Sequence, residues 1–123
     1  MMGKEYAMSC HDIGHGMNAV SKTVLDLYES GQISRESTVK LICALRKGVH
    51  WCDGNEDEAI RETVARGYCG LCFEKREGLS NIFDNNLGYP ERFNVFKKYD
   101  STSAHFYLCP DCRRRVMDEH STQ

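Results

Sequence analysis

Two short cysteine pairs constrain this chain more than any other feature of its sequence. The stretch CGLC contains Cys69 and Cys72, and the stretch CPDC repeats the spacing with Cys109 and Cys112 after an interval of 36 residues. Four thiolates satisfy a tetrahedral zinc ion, and each short turn can wrap the metal from one side. The sequence therefore predicts a structural zinc site, with one ion per chain and all four positions filled by the protein.

The number of cysteines and the start of the chain bear on where such a site would form. Seven of the 123 residues are cysteine, and the first ten residues, MMGKEYAMSC, lack the apolar stretch of a secretory signal. No apolar run reaches the roughly 20 residues of a membrane span. We therefore expect a cytoplasmic, reducing location, where paired cysteines bind metal rather than form disulfides. Iron remains open as an alternative, because four thiolates also form rubredoxin-like sites.

The first half of the chain has the periodicity of helices. Apolar residues recur every three or four positions between residues 10 and about 30, and again between residues 35 and about 48. Ser34 is placed to cap the second of these helices. A short third helix is predicted from Asn55, and Gly67 is expected to end it.

After Gly67 the helical periodicity disappears. The sequence predicts short strands there and then a closing helix over RRRVMDEH. The residues that suggest strands are Phe93, Val95, Tyr99, Phe106 and Leu108. We predict an α+β fold in which a helical unit, residues 1–66, packs on a zinc-binding unit, residues 67–123, within one compact domain.

The order of elements in the second half resembles a known zinc fold. The first cysteine pair follows a helix stop, whereas the second follows the extended stretch HFYL and precedes a helix. A knuckle, a β-hairpin and a helix that carries the last ligands resemble the treble clef, over roughly residues 68–120. Because the second pair directly precedes a helix, Cys112 is expected to lie in the first turn of that helix. The resemblance is a likeness of fold that many functions share.

The stretch HFYLCPDCRRRV is also similar to the second half of an HNH nuclease. In that family a histidine on the hairpin acts as general base, but the corresponding stretch here, NIFDNNLGYPERF, contains no histidine. The resemblance therefore assigns no catalytic residue. Arg113, Arg114 and Arg115 could contact phosphate, although consecutive helical residues point in three directions. The net charge of −2 does not indicate a general nucleic-acid binder.

A second group of metal-capable side chains lies near the start of the first helix, in CHDIGHG. Ser9 and Asp12 fit a capping box. His11 and His15, four residues apart, project together on the face opposite the apolar stripe. With His50 and Cys52 from a later loop, they form a possible second metal site.

The same stretch resembles the central motif of HD-domain phosphohydrolases. In that family an adjacent histidine and aspartate bind a metal that activates water, which implies metal binding by His11 and Asp12. The family's other ligands have no assignable counterpart here.

Three hypotheses of function follow from these patterns. The first is a non-enzymatic zinc-binding module that mediates protein interaction or regulation. The second is a metal-dependent hydrolase that uses His11, Asp12 and His15. The third is a zinc-finger nucleic-acid binder that uses the arginines after the second cysteine pair. The closed four-cysteine site favours the first hypothesis over an enzyme, because it leaves no position for substrate.

Overall fold

The computed structural model of this protein describes residues 10–49, 55–84 and 96–121. Within these residues the chain forms α-helices, two short 3-10 helices and one two-stranded sheet, which confirms the expected mixture of helix and strand. The helices are α1 (Cys10–Glu29), α2 (Arg35–Lys47), α3 (Asn55–Ala59), α4 (Arg61–Ala65) and α5 (Pro110–Ser121). The strands are β1 (Ser80–Asn81) and β2 (Tyr107–Leu108), and the 3-10 helices are Ile82–Asp84 and Lys97–Tyr99.

The two long helices of the first half lie where their apolar periodicity predicts them. Ser34 caps α2, since its Oγ accepts a hydrogen bond from the backbone N–H of Ser37 at 3.0 Å. The chain leaves α1 through Gly31, whose φ of +81° lies in the left-handed region that glycine adopts without strain. Ser9 lies outside the described residues, so the capping box at the start of α1 remains a prediction.

The third helix predicted from the sequence is two helices in the structure. The backbone turns at Ile60, which has φ −110° and ψ 11°, so that α3 ends and α4 begins. Two buried side chains of α1 satisfy the groups freed by this break: Ser21 Oγ donates to the carbonyl of Ala59 at 3.0 Å, and Asn18 Oδ1 accepts from the N–H of Glu62 at 2.8 Å. The break is therefore stabilised by tertiary contacts with α1, which the local sequence does not reveal.

The sheet joins segments that are distant in the chain. Strand β1 pairs with β2 in antiparallel fashion, with Ser80 opposite Leu108 and Asn81 opposite Tyr107. The predicted strand at Tyr99 is wrong, because this residue ends a 3-10 helix whose turn is closed by a hydrogen bond from Asp100 N to the Lys97 carbonyl at 3.3 Å. Phe93 and Val95 lie outside the described residues.

The apolar core has two parts. One surrounds the two cysteine pairs and contains Ile82, Phe96, Leu108 and Val116, all at most 1% exposed. The other combines side chains of α1 and α2, and Ile60 between α3 and α4, with residues beyond Gly67; its members are Val24, Leu25, Val39, Ile42, Ile60, Tyr68, Phe73 and Ala104. The helical half and the cysteine-containing half are thus held together by shared apolar burial.

None of the described helices combines the length and the apolar composition that a membrane-spanning segment requires.

Candidate metal centre

The two cysteine pairs meet in a single cluster. The sulfur atoms of Cys69, Cys72, Cys109 and Cys112 all lie within 4.8 Å of one another. A tetrahedral zinc site with Zn–S bonds of about 2.3 Å has sulfur–sulfur separations of about 3.8 Å. The observed cluster is close to that size, so four thiolates could hold one metal ion after only small adjustments.

A tight turn presents the first pair. The N–H of Phe73 donates to the carbonyl of Cys69 at 3.0 Å, and an antiparallel bridge between Tyr68 and Lys75 closes the base of the turn. Phe73, directly after Cys72, has a φ of +52°, which is uncommon for a residue with a side chain. Its ring is 1% exposed and stacks on Tyr68, with ring centroids 4.8 Å apart. Aromatic packing therefore stabilises an uncommon backbone conformation at Phe73, directly after the first cysteine pair.

The second pair lies where a strand passes into a helix. Cys109 follows β2 directly, and Cys112 lies in the first turn of α5, as the order of the sequence predicted. The N–H of Arg113 donates to the carbonyl of Cys109 at 2.9 Å, which closes that first turn. The helix therefore fixes the relative positions of both thiols of this pair.

The surroundings of Cys69 favour a thiolate. Its side chain is fully buried, and burial raises the pKa of the thiol. Backbone N–H groups outweigh this effect and lower the pKa of Cys69 overall; they include Cys109 N at 3.3 Å and Leu71 N at 3.4 Å from the sulfur. Such N–H to sulfur hydrogen bonds are typical of the second shell of a thiolate metal site.

The other thiols show why this cluster needs a cation. Burial, followed by the negative charge of Cys69, raises the pKa of Cys112. The same two causes raise the pKa of Cys72, where backbone hydrogen bonding only partly opposes them. A bound divalent ion would supply the positive charge that favours the thiolate forms of Cys72 and Cys112 beside Cys69. The donor set therefore fits a metal that prefers sulfur, such as zinc.

Two arginines border the first cysteine pair. Arg35, the first residue of α2, donates from Nη2 to the carbonyl of Cys72 at 2.7 Å and from Nε to the same oxygen at 3.2 Å. The negative charge of Cys72, and next that of Cys109, raises the pKa of the solvent-exposed Arg76. A zinc ion bound by four thiolates would carry a net charge of −2. Two cations beside the first cysteine pair would partly offset that negative charge.

The first pair also packs tightly against the segment that leads to the second. Gly70 N donates to the carbonyl of Tyr107 at 2.8 Å, and Ala104 N donates to the carbonyl of Gly70 at 2.7 Å. A side chain at position 70 would place its Cβ 2.0 Å from the carbonyl oxygen of His105. Only glycine permits this approach of two backbones, which brings the two pairs together.

His105 is a buried, neutral histidine beside the cluster. It is fully buried, and desolvation is the main cause that lowers its pKa to about 3. Its Nδ1 accepts a hydrogen bond from the N–H of Tyr107 at 3.2 Å. It thus supports the turn that leads into β2.

The predicted second metal site is only partly covered by the described residues. His15 lies near α3, with its Nδ1 3.2 Å from Glu58 Oε1 and its side chain 47% exposed. His11 and Asp12 lie in the first turn of α1. His50 and Cys52 lie outside the described residues, so the second site and the hydrolase hypothesis built on this stretch remain predictions.

The three arginines after the second pair have different surroundings. Arg113 is half-buried and donates to Ser80 Oγ at 2.7 Å, which ties α5 to β1. Arg114 lies 3.3 Å from Asp111 of the same helix, and Arg115 is exposed. The nucleic-acid hypothesis remains a prediction without a shared arginine cluster to support it.

Two arginines that contact the cysteine-containing half were not predicted from the sequence. Arg46, on α2, is 2% exposed and donates to Asp100 Oδ1 at 2.8 Å and to the carbonyl of Ala104 at 3.3 Å. Its guanidinium also lies over the ring of Phe106, 4.3 Å from the centroid. A signal was present for Arg35, because a cation at the positive end of a helix dipole is unfavourable unless another partner compensates for it.

None of the protein-family models, curated proteins or solved structures compared with this chain matches it. The function is therefore argued from the geometry of the cysteine cluster and its surroundings.

Proposed function

We propose that this protein is a small zinc-binding module whose four-cysteine site has a structural role, and that it serves in protein interaction or regulation rather than catalysis. The observation that carries the proposal is the convergence of Cys69, Cys72, Cys109 and Cys112, with their sulfur atoms within 4.8 Å of one another. Four protein thiolates complete a tetrahedral coordination sphere and leave no position for water or substrate. The proposal includes a treble-clef-like arrangement and a reducing, cytoplasmic location.

The position of the cluster in the fold supports a structural role. Cys69, Cys109 and Cys112 are at most 6% exposed and belong to the apolar core of the second half. The strands beside them contain only two residues each, so the sheet contributes few hydrogen bonds to stability. A metal ion that joins two segments 36 residues apart would stabilise this region, because small modules with limited cores depend on such links.

Metal analysis of the purified protein tests the proposal. We expect about one zinc ion per chain, and we expect Cys69→Ser to lose the ion and destabilise the fold. Cys43→Ser is the matched control, because Cys43 is also buried but its sulfur lies 3.4 Å from the carbonyl of Asp100, outside the cluster. Full retention of metal after all four clustered cysteines are changed to serine would refute the assignment.

Two further measurements separate the alternatives. Iron in place of zinc would give the protein a strong visible colour and an equivalent of iron in the same elemental analysis. The hydrolase hypothesis predicts metal-dependent turnover of a phosphate ester that is lost in a double variant of His11 and His15. Turnover lost in that variant while the clustered cysteines still hold zinc would favour the enzyme and overturn the non-catalytic role.

A further inference from the structure

The first cysteine pair is held from outside by the helical half of the protein. Arg35 spans two successive carbonyls of the turn: Nη2 lies 2.7 Å from the oxygen of Cys72 and 3.4 Å from that of Leu71, and Nε lies 3.2 Å from the oxygen of Cys72. The guanidinium is rigid and planar, so it fixes the relative orientation of the groups it binds. These carbonyls belong to a predicted ligand and to its neighbour within the turn.

A second contact from the same half involves the residue directly after the first pair. Phe73 follows Cys72, has a positive φ, and is 1% exposed. Tyr28 of α1 packs edge-on against its ring, with centroids 5.7 Å apart, and Tyr68 stacks on it. The turn and the residue that follows it are therefore contacted by both α1 and the first residue of α2.

Helix α2 is itself anchored near its other end. Arg46, almost fully buried, binds the carbonyl of Ala104, and the N–H of Ala104 donates to the carbonyl of Gly70 inside the first cysteine pair. The two arginines thus attach one helix to the cysteine turn directly and to the segment that packs against it. The anchoring of α2 at Arg46 therefore fixes the position of Arg35 relative to the cysteine turn.

We propose that Arg35 is a positioning residue of the metal centre, which holds the carbonyls of Leu71 and Cys72 and so presets the first cysteine pair for the ion. The inference rests on the proposed zinc site and adds that the helical half controls how firmly the metal is retained. Outer-shell partners of metal ligands typically change affinity about 10- to 100-fold when removed. Arg35 acts through the backbone of a ligand rather than its sulfur, so a smaller effect is expected.

The test measures zinc release from the full chain to a competing chelator under conditions in which the protein stays folded. Arg35→Gln is expected to release zinc about three- to tenfold faster than the wild type. Arg35→Lys keeps the charge without the planar fork and should lie in between. Lys40→Gln is the matched surface control, because Lys40 lies on the same helix with a side chain that is 76% exposed and paired with Glu36.

A second control separates positioning from general stability. Asn18→Ala weakens the helical half away from the cysteine turn, since Asn18 Oδ1 accepts from the N–H of Glu62 at the start of α4. We expect it to release zinc at the wild-type rate. Equal acceleration by Asn18→Ala and Arg35→Gln would overturn the inference, because metal retention would then follow overall stability. Wild-type release from Arg35→Gln would overturn it as well.

Cobalt substitution shows which proposal has failed in the event of a negative result. The wild type should bind one cobalt ion with the sulfur-to-metal charge-transfer absorption of four thiolates, and Arg35→Gln should weaken or shift that absorption while Lys40→Gln leaves it unchanged. Absence of a thiolate spectrum in the wild type would refute the proposed zinc site and, with it, the role of Arg35. A normal spectrum and normal zinc release in Arg35→Gln would refute the role of Arg35 alone.

Discussion

A methyl group at Gly70 should disrupt the contact that brings the two cysteine pairs together. The Cβ of Gly70→Ala would lie 2.0 Å from the carbonyl oxygen of His105 and 2.7 Å from its carbonyl carbon, whereas real Cβ atoms essentially never approach closer than 3.0 Å. One backbone must therefore withdraw by about 1 Å or more. The atoms in the way belong to the main chain, so a change of rotamer cannot relieve the overlap.

The size of the effect follows from the hydrogen bonds that such a shift would break. Gly70 N to the Tyr107 carbonyl, 2.8 Å, and Ala104 N to the Gly70 carbonyl, 2.7 Å, would both lengthen beyond the hydrogen-bonding range. Each leaves a buried polar group without a partner, at a cost of roughly 1–3 kcal/mol. Gly70→Ala should therefore lower the free energy of unfolding by about 3 kcal/mol or more.

Urea unfolding followed by helical circular dichroism, at a fixed excess of zinc, measures this change. With a slope of about 2 kcal/mol per molar urea, the midpoint should fall by about 1.5 M. Gly16→Ala is the control, because Gly16 lies within α1 and its Cβ would have no neighbour within 4 Å. That variant should gain up to about 1 kcal/mol from improved helix propensity. If the urea midpoint of Gly70→Ala decreases by less than about 0.5 M and zinc is retained, the close approach is absent from the native protein.

Three further changes test other parts of the structure. Asn18→Ala removes the side chain that accepts from Glu62 N at the start of α4 and should cost about 1 kcal/mol in urea unfolding. Arg46→Met leaves the Ala104 carbonyl without its buried donor and should cost about 2 kcal/mol by the same measurement. His105 is neutral in the folded protein, with its pKa lowered to about 3, while the unfolded chain takes up a proton below about pH 6.5. Its contribution is complete above that pH and is lost as the pH falls towards 3, so between pH 7.5 and 5.5 the wild type should lose about 1.4 kcal/mol more than His105→Asn.

Each of these has a control. Thr23→Ala removes an exposed hydroxyl that donates to the carbonyl of Ala19 within α1, and it should change stability by less than about 0.5 kcal/mol, in contrast to Asn18→Ala. Lys47→Met removes the exposed partner of Asp100 and should cost less than about 1 kcal/mol, so an equal loss in Arg46→Met would contradict the importance of its burial. Parallel pH profiles of the wild type and His105→Asn would show that the histidine is not buried in its neutral form.

Helix positions follow from the sequence wherever the local pattern is strong. The stripe of apolar residues over α1 and α2 predicts both helices, and the Ser34 cap places the start of α2 at the correct residue. The division between α3 and α4 was missed because Asn18 and Ser21 cap its ends from another helix. Propensity and periodicity describe neighbours in the chain, whereas such caps come from residues about 40 positions away.

The strands show the same limit. The antiparallel partner of β2 is Ser80–Asn81, a polar dipeptide whose alternation is too short to signal a strand. Tyr99, aromatic and flanked by polar residues, has the composition of a strand but lies in a 3-10 turn. Strand formation here depends on pairing across the cysteine-containing half rather than on local preference.

The sequence by itself determined which four thiols come together, because the two-residue spacing within each pair can be seen directly in the chain. It also determined that Cys112 would lie in the first turn of a helix. Only the tertiary structure decided how these thiols are supported: by Arg35 from α2, by the ring of Phe73 between two tyrosines, and by the approach of Gly70 to His105. Apart from the stacking of Tyr68 on Phe73, those contacts join residues 30 or more positions apart. No local pattern encodes them, because they depend on how the packed elements meet.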